Sequence, residues 1–136
     1  MKTKTLVAAL AVTCATSAGA QDAKTGEELF VKFCSFCHGY EAKGDGWNAD
    51  KLEVPPADLT RLSVENGGVF PLARTAYRID GRELVAAHGG EMPFYGDIMG
   101  EPLVEMEADG EVVEMGQAIA DLITYIQGLQ EEVPES

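Results

Sequence analysis

Two cysteines and a histidine form the stretch with the clearest chemistry, Cys34-Ser35-Phe36-Cys37-His38. Thiols three residues apart lie on one face of a helical turn, so each can form a thioether to one vinyl group of a single haem. His38 follows directly, and its ring can then reach the iron as an axial ligand. The spacing therefore predicts one covalently attached haem c, held by Cys34, Cys37 and His38.

The same Cys-x-x-Cys spacing also occurs in zinc sites and in thioredoxin-like redox pairs. A zinc site needs a second pair of ligands, whereas the rest of this sequence offers only Cys14 and His88. A redox pair is expected beside a strand–helix–strand pattern, which the sequence does not show. Haem attachment is therefore the interpretation that the residues favour.

A methionine followed by a proline, Met92-Pro93, is the strongest candidate for the second axial ligand. Its thioether would be held by the rigid proline, and sulfur paired with histidine raises the reduction potential of haem iron. Three other methionines lack this setting: Met99, Met106 and Met115. His88 would instead give a bis-histidine iron of lower potential, and an open sixth position is a further alternative.

The first twenty residues are typical of an export signal. Lys2 and Lys4 precede an apolar run from Leu6 to Val12, and small residues at 18–20 form a cleavage pattern. We therefore expect residues 1–20 to be removed and residues 21–136 to form one periplasmic domain. Acylation of Cys14 is the weaker alternative, because Thr13 precedes it instead of a glycine or alanine. Without Cys14, both remaining thiols are used by haem and no structural disulfide is expected.

The charge is strongly negative. The whole chain has 10 basic and 23 acidic residues, and loss of Lys2 and Lys4 leaves 8 against 23, a net charge of about −15. This charge argues against nucleic acid or an anionic membrane as a partner. It fits either a simply solvated surface or electrostatic docking to a basic patch on a redox partner.

Helical periodicity predicts the principal elements. We expect a first helix over 24–37 that begins with a capping box at Thr25 and Glu28. Further helices are expected from Pro71 to about Ile79, from Arg82 to His88, and from about Met115 to Leu129. The last of these carries one apolar stripe: Ile119, Leu122, Ile123, Ile126 and Leu129. Gly26 inside the first helix suggests a close crossing, with Tyr125 as the candidate ring. Asp109-Gly110 is typical of a hairpin turn within an otherwise acidic connection over 97–113.

Several residues have two open interpretations. Pro56 or Pro55 is the candidate for the carbonyl that accepts a hydrogen bond from the ring of His38, in an extended segment that prolines favour. Trp47 either donates to a haem propionate or caps the core. Three arginines are surface residues by default, one of which is a candidate partner for a propionate: Arg74, Arg78 and Arg82.

The chain resembles the soluble class I monohaem cytochromes c of bacterial periplasms over nearly all of residues 21–136. The resemblance lies in 26–31 leading into 34–39, in the Met92-Pro93 loop, and in 119–126. It implies His38 and Met92 as axial ligands, a proline carbonyl on His38 that Pro56 matches best, and a helix crossing at Gly26. Two features differ from the family: the acidic insertion at 97–113 is longer than in minimal members, and the charge is opposite to the lysine-ringed mitochondrial type.

Together, the patterns and the resemblance predict an all-α fold of the class I cytochrome c type, with a small hairpin near 102–115 as an open alternative. The expected function is one-electron transfer between redox proteins by a monomer that is not itself an enzyme. Two alternatives remain open. The chain could be the haem c subunit of a larger periplasmic dehydrogenase or oxidase, or a gas-binding haem protein with an open sixth site.

Overall fold

The first and last helices, α1 (Ala23–Phe33) and α6 (Gln117–Gly128), pack directly against each other at Gly26. The computed structural model describes residues 21–82 and 92–132. A Cβ atom at Gly26 would collide with the backbone carbonyl of Asp121 and lie 2.9 Å from Tyr125 Cβ. The fully buried Phe30 places its ring 5.4 Å from that of Tyr125. The predicted crossing of Gly26 by Tyr125 is therefore confirmed.

The start of α1 differs from the sequence prediction. Asp22, not Thr25, caps the helix: its carboxylate accepts from the amide of Lys24 at 2.9 Å and from the Thr25 hydroxyl at 3.0 Å. The backbone amide of Asp22 also donates to Oδ1 of Asp121 at 2.9 Å. This contact with α6 holds the chain in place one turn earlier than the capping-box pattern indicates.

A helix of nine residues, Leu72–Asp80, follows Pro71 as predicted, and is the fourth in chain order. The described residues also form three single-turn helices: α2 (Ser35–His38), α3 (Leu62–Glu65) and α5 (Gly96–Met99). The nine-residue helix is therefore α4. Two 3₁₀ turns lie at Ala49–Lys51 and Leu59–Arg61. The predicted signal at 1–20 and most of the predicted helix from Arg82 to His88 lie outside the described residues.

The all-α prediction is wrong because two strands form an antiparallel hairpin. β1 (Leu103–Ala108) pairs with β2 (Glu111–Gly116), and about 49% of the described residues are helical beside this sheet. Asp109 and Gly110 both have positive φ, 53° and 81°, as the tight turn between twisted strands requires. The small hairpin that the sequence left open is therefore present, and the fold is mixed rather than purely helical.

The hairpin belongs to the core. Alternation along the strands turns one face inward, where Met106 of β1 lies opposite Val113 of β2, and both are buried. β2 runs directly into α6, so α6 begins at Gln117, two residues later than predicted. The buried residues of α6 confirm most of the predicted apolar stripe: Ile119, Leu122, Ile123 and Ile126. Within 21–82 and 92–132, no helix is long and apolar enough to cross a membrane.

Candidate functional site

The turn from Cys34 to His38 is tighter than a continuous helix. Cys34 separates α1 from α2, and its carbonyl accepts hydrogen bonds from the amides of both Cys37 (3.2 Å) and His38 (2.9 Å). This doubled bond closes the turn, so that two free, half-buried thiols and the imidazole come from five consecutive residues. The structure therefore keeps the three predicted groups together in one compact turn.

The chemistry of Cys34 is that of a protected thiol. Burial, and secondarily the neighbouring Cys37, raises the pKa of Cys34 to about 12. Thiol redox pairs require the opposite shift, because the attacking sulfur must be a thiolate near neutral pH. Cys34 therefore does not have the environment of a thioredoxin-like nucleophile.

His38 is oriented by a backbone carbonyl. Its Nδ1 lies 3.0 Å from the carbonyl oxygen of Ala57. Because a carbonyl only accepts, Nδ1 must carry the proton, and Nε2 is left with the lone pair that a metal ligand needs. Burial lowers the pKa of His38, although the bond to Ala57 opposes that shift. The ring is therefore held in its neutral, ligating form.

The identity of this acceptor corrects a prediction, because Ala57 takes the place expected for Pro56 or Pro55. The loop is fixed by two backbone bonds, from Gly44 N to His38 O at 2.8 Å and from Leu59 N to Ala42 O at 2.7 Å. Gly44 has a φ of 79°, and a Cβ there would collide with the carbonyl oxygen of Pro56. The carbonyl of Pro56 is thus directed at Gly44, and the next carbonyl along the chain meets the histidine.

Met92 is half-buried and packs against the hydrophobic core. The other three candidate methionines in the described residues are almost fully buried: Met99, Met106 and Met115. They fill the core, as methionine commonly does, which leaves Met92 as the candidate that is only half-buried. His88, the alternative ligand, lies outside the described residues.

Tyr95 brings the Met92 loop next to the cysteine turn. Its hydroxyl donates to the carbonyl of Phe33 at 3.0 Å, and the two rings meet edge to face at 5.8 Å. Burial raises the pKa of the Tyr95 phenol, and the nearby Cys34 and Cys37 add to that rise. Sequence reasoning missed this contact, because nothing in the local pattern distinguishes Tyr95 from an ordinary aromatic residue.

Aromatic side chains are exposed beside the same turn, which corrects the core-capping interpretation of Trp47. Trp47 is 71% exposed, its ring lies 5.2 Å from that of Phe36, and Lys51 Nζ lies 2.9 Å from the ring centroid. Tyr40 is also exposed, and it lines an open groove together with Phe36 and Trp47. The sequence does not predict this cluster. Its only indication is that Phe36 and Tyr40 fall outside the helical positions expected to face the core.

The three arginines differ in the contacts that they make. Arg82 pairs with the carboxylate of Asp80, donates to the carbonyl of Glu114 at 2.7 Å, and lies over the Tyr77 ring. Arg74 is exposed, and Arg78 is half-buried. Arg82 therefore uses its guanidinium donors for contacts within the protein, and these contacts connect the end of α4 to the hairpin.

The donor set fits a covalently held haem. Two thiols, a neutral imidazole with a free Nε2 and the thioether of a half-buried methionine are the groups that such a haem uses. Within 21–82 and 92–132, no group of three or more His, Cys, Asp or Glu side chains could hold a metal ion on its own.

Comparisons of the chain with protein-family models, with curated proteins and with solved structures gave no match. The functional interpretation therefore depends on the geometry of the site itself.

Proposed function

We propose that the chain is a periplasmic one-electron carrier, a monohaem c-type cytochrome with His38 and Met92 as axial ligands. The observation that supports this most is the 3.0 Å contact between His38 Nδ1 and the Ala57 carbonyl. It leaves Nε2 free beside two adjacent thiols, which is the arrangement that an axial histidine needs. When bound, haem c supplies one iron that exchanges a single electron between the ferrous and ferric states.

The chain's own residues have distinct roles in this proposal. Cys34 and Cys37 would hold the porphyrin through thioethers, and the Ala57 carbonyl keeps the His38 ring from rotating. Met92 would supply a soft sulfur ligand, which favours the ferrous state and so would raise the potential. Phe33 and Tyr95 are half-buried and pack against the hydrophobic core beside the cysteine turn. Each of these roles serves the haem, so the role that we propose is electron transfer.

The far-red absorption of the purified ferric holoprotein tests the ligand set. We expect the weak sulfur-to-iron band, and we expect Met92→Ala to abolish it while Met99→Leu, a core change, leaves it intact. Acidified organic solvent should fail to extract the haem, because thioethers hold it covalently. A native protein that lacks the band, or that binds carbon monoxide at once when reduced, would contradict the carrier and favour an open sixth position.

A further inference from the structure

Tyr95 connects the loop that carries Met92 to the helix that leads into Cys34. Its hydroxyl reaches the carbonyl of Phe33, the last residue of α1, across 62 positions of sequence. Its backbone is fixed as well, since the Tyr95 amide donates to the Ile79 carbonyl at 2.8 Å. Tyr95 is therefore held at once by the end of α1 and the end of α4.

The Phe33 carbonyl is available because of the break at Cys34. In a continuous helix this carbonyl would accept from the amide of Cys37, but that amide bonds to the Cys34 carbonyl at 3.2 Å instead. A helix-end carbonyl without a backbone partner needs another donor, and the Tyr95 hydroxyl supplies it. The same tight turn that groups the cysteines thus creates the acceptor to which the Met92 loop is attached.

Chain length limits how far Met92 can move from this anchor. Met92 precedes Tyr95 by three residues, and three extended residues span at most about 11 Å. Pro93 restricts the backbone between them further. On the other side, the Tyr95 carbonyl accepts from the amides of Ile98 (3.1 Å) and Met99 (2.8 Å), which starts α5. The anchor is consequently rigid on both sides.

We propose that Tyr95 is a positioning residue for Met92, whose hydroxyl holds the thioether loop against the cysteine–histidine turn. The inference rests on the proposed function, since it assigns Tyr95 a role in holding an axial ligand. Loss of the hydroxyl should leave the ring packed against Phe33 but loosen the loop. An external ligand should then displace Met92 more easily, while the folded chain as a whole is changed little.

Titration of the ferric holoprotein with imidazole measures this displacement through loss of the sulfur-to-iron band. Because a neutral hydrogen bond contributes modestly, we expect Tyr95→Phe to bind imidazole about 2- to 12-fold more tightly than the native protein. Tyr40→Phe is the matched control, since Tyr40 is 77% exposed and the chemical change is the same. Its imidazole affinity should equal that of the native protein.

A second control separates local positioning from general stability. Val113→Ala makes a cavity in the buried face of the hairpin, and its imidazole affinity should stay native although its unfolding midpoint falls. The inference is overturned if Tyr95→Phe binds imidazole as the native protein does. It is also overturned if Val113→Ala gains affinity in proportion to its lost stability. A native protein without the band overturns the proposed function and this inference together, and that result is visible before any variant is made.

Discussion

The space at Gly26 is filled by the neighbouring helix, so a single methyl group there should be costly. We expect Gly26→Ala to lower the free energy of unfolding by about 1–3 kcal/mol, because the new Cβ would meet the Asp121 carbonyl and Tyr125 Cβ. Urea denaturation of the native protein and the variant measures the difference.

Gly128 gives the matched control for this prediction. It is the last residue of α6, and a Cβ added there would meet nothing within 4 Å. Alanine has the higher helix propensity, so Gly128→Ala should stabilise the protein by up to about 1 kcal/mol. Equal effects from both substitutions would contradict the idea that the two helices cross closely at Gly26.

At the scale of single residues, the sequence predicted which functional groups form the site better than it predicted their hydrogen-bond partners. The spacing of Cys34, Cys37 and His38 determined which groups would come together, since all three belong to one turn. The acceptor for His38 was predicted one residue away from Ala57, because the direction of a loop carbonyl depends on Gly44 and its positive φ. The bond from Tyr95 to Phe33 joins distant parts of the chain and leaves no local pattern.

The cap of α1 gives this helix a pH dependence. Hydrogen bonds from the amide of Lys24 and the hydroxyl of Thr25 lower the pKa of Asp22 below its usual value of 3.8. A lowered pKa in the folded state means that the stabilisation is present above about pH 4, the unfolded value, and is lost as the pH falls through the folded value.

We therefore expect Asp22→Asn, which keeps an acceptor oxygen but removes the charge, to be less stable than the native protein at pH 7. The difference in unfolding free energy should stay constant down to about pH 5 and then shrink below about pH 4. Urea titrations at several pH values measure it. The side chain is fully exposed, so the effect should also weaken in high salt. A difference that grows as the pH falls would refute the assignment of the cap.

The hairpin carries two like charges directly opposite each other. Glu105 of β1 pairs with Glu114 of β2 in the register, and both are exposed. Like charges at such positions destabilise a sheet, so Glu105→Lys should raise the free energy of unfolding by roughly 0.2–1 kcal/mol. Thermal or urea denaturation at low ionic strength measures the gain.

The control for the hairpin is Glu132→Lys, an equal change in charge at an exposed position beyond α6. It should give a smaller gain, from the reduced net charge alone. The advantage of Glu105→Lys should also disappear near 1 M salt, where the screening length is about 3 Å. An advantage that persists in high salt would point to packing and not to cross-strand repulsion.

At the scale of helices and strands, local sequence patterns predicted an element correctly where no contact with a distant part of the chain opposed them. Asp109-Gly110 predicted the hairpin turn, and the apolar stripe predicted α6. The helix start failed because Asp22 and Thr25 are both good caps, and the contact of Asp22 with Asp121 on α6 decides between them. The all-α class failed because the acidic residues at 105–114 conceal an alternating inward face of Met106, Val113 and Met115.

The charge of the whole molecule is unevenly distributed. No lysine or arginine follows Arg82 in the sequence, whereas the lysines after residue 20 all lie between Lys24 and Lys51. The outward face of the hairpin adds exposed carboxylates to this acidic second half, and within the described residues none of them forms an ion pair: Glu105, Glu107 and Glu114. A basic partner would therefore be attracted to the outward face of the hairpin.

We expect electron exchange with a basic redox protein to slow as salt rises, because screening removes the attraction that guides the encounter. Stopped-flow measurements from low salt to about 0.5 M should show a steadily falling second-order rate constant. Exchange with an uncharged small-molecule reagent should change little over the same range. A flat response with the basic protein would rule out electrostatic docking.

The fluorescence of Trp47 can report whether haem is attached to the chain. It is the only tryptophan of the chain, it stays in water in the folded state, and it stands against Phe36 between the two cysteines. Folding alone should therefore barely move its emission maximum. A porphyrin bonded to the neighbouring sulfurs would quench the fluorescence of Trp47 by energy transfer. Weak tryptophan fluorescence would therefore indicate a chain that carries haem, and strong fluorescence a chain without it. The intensity of Trp47 fluorescence would thus measure the fraction of molecules that carry haem during maturation, without any added dye.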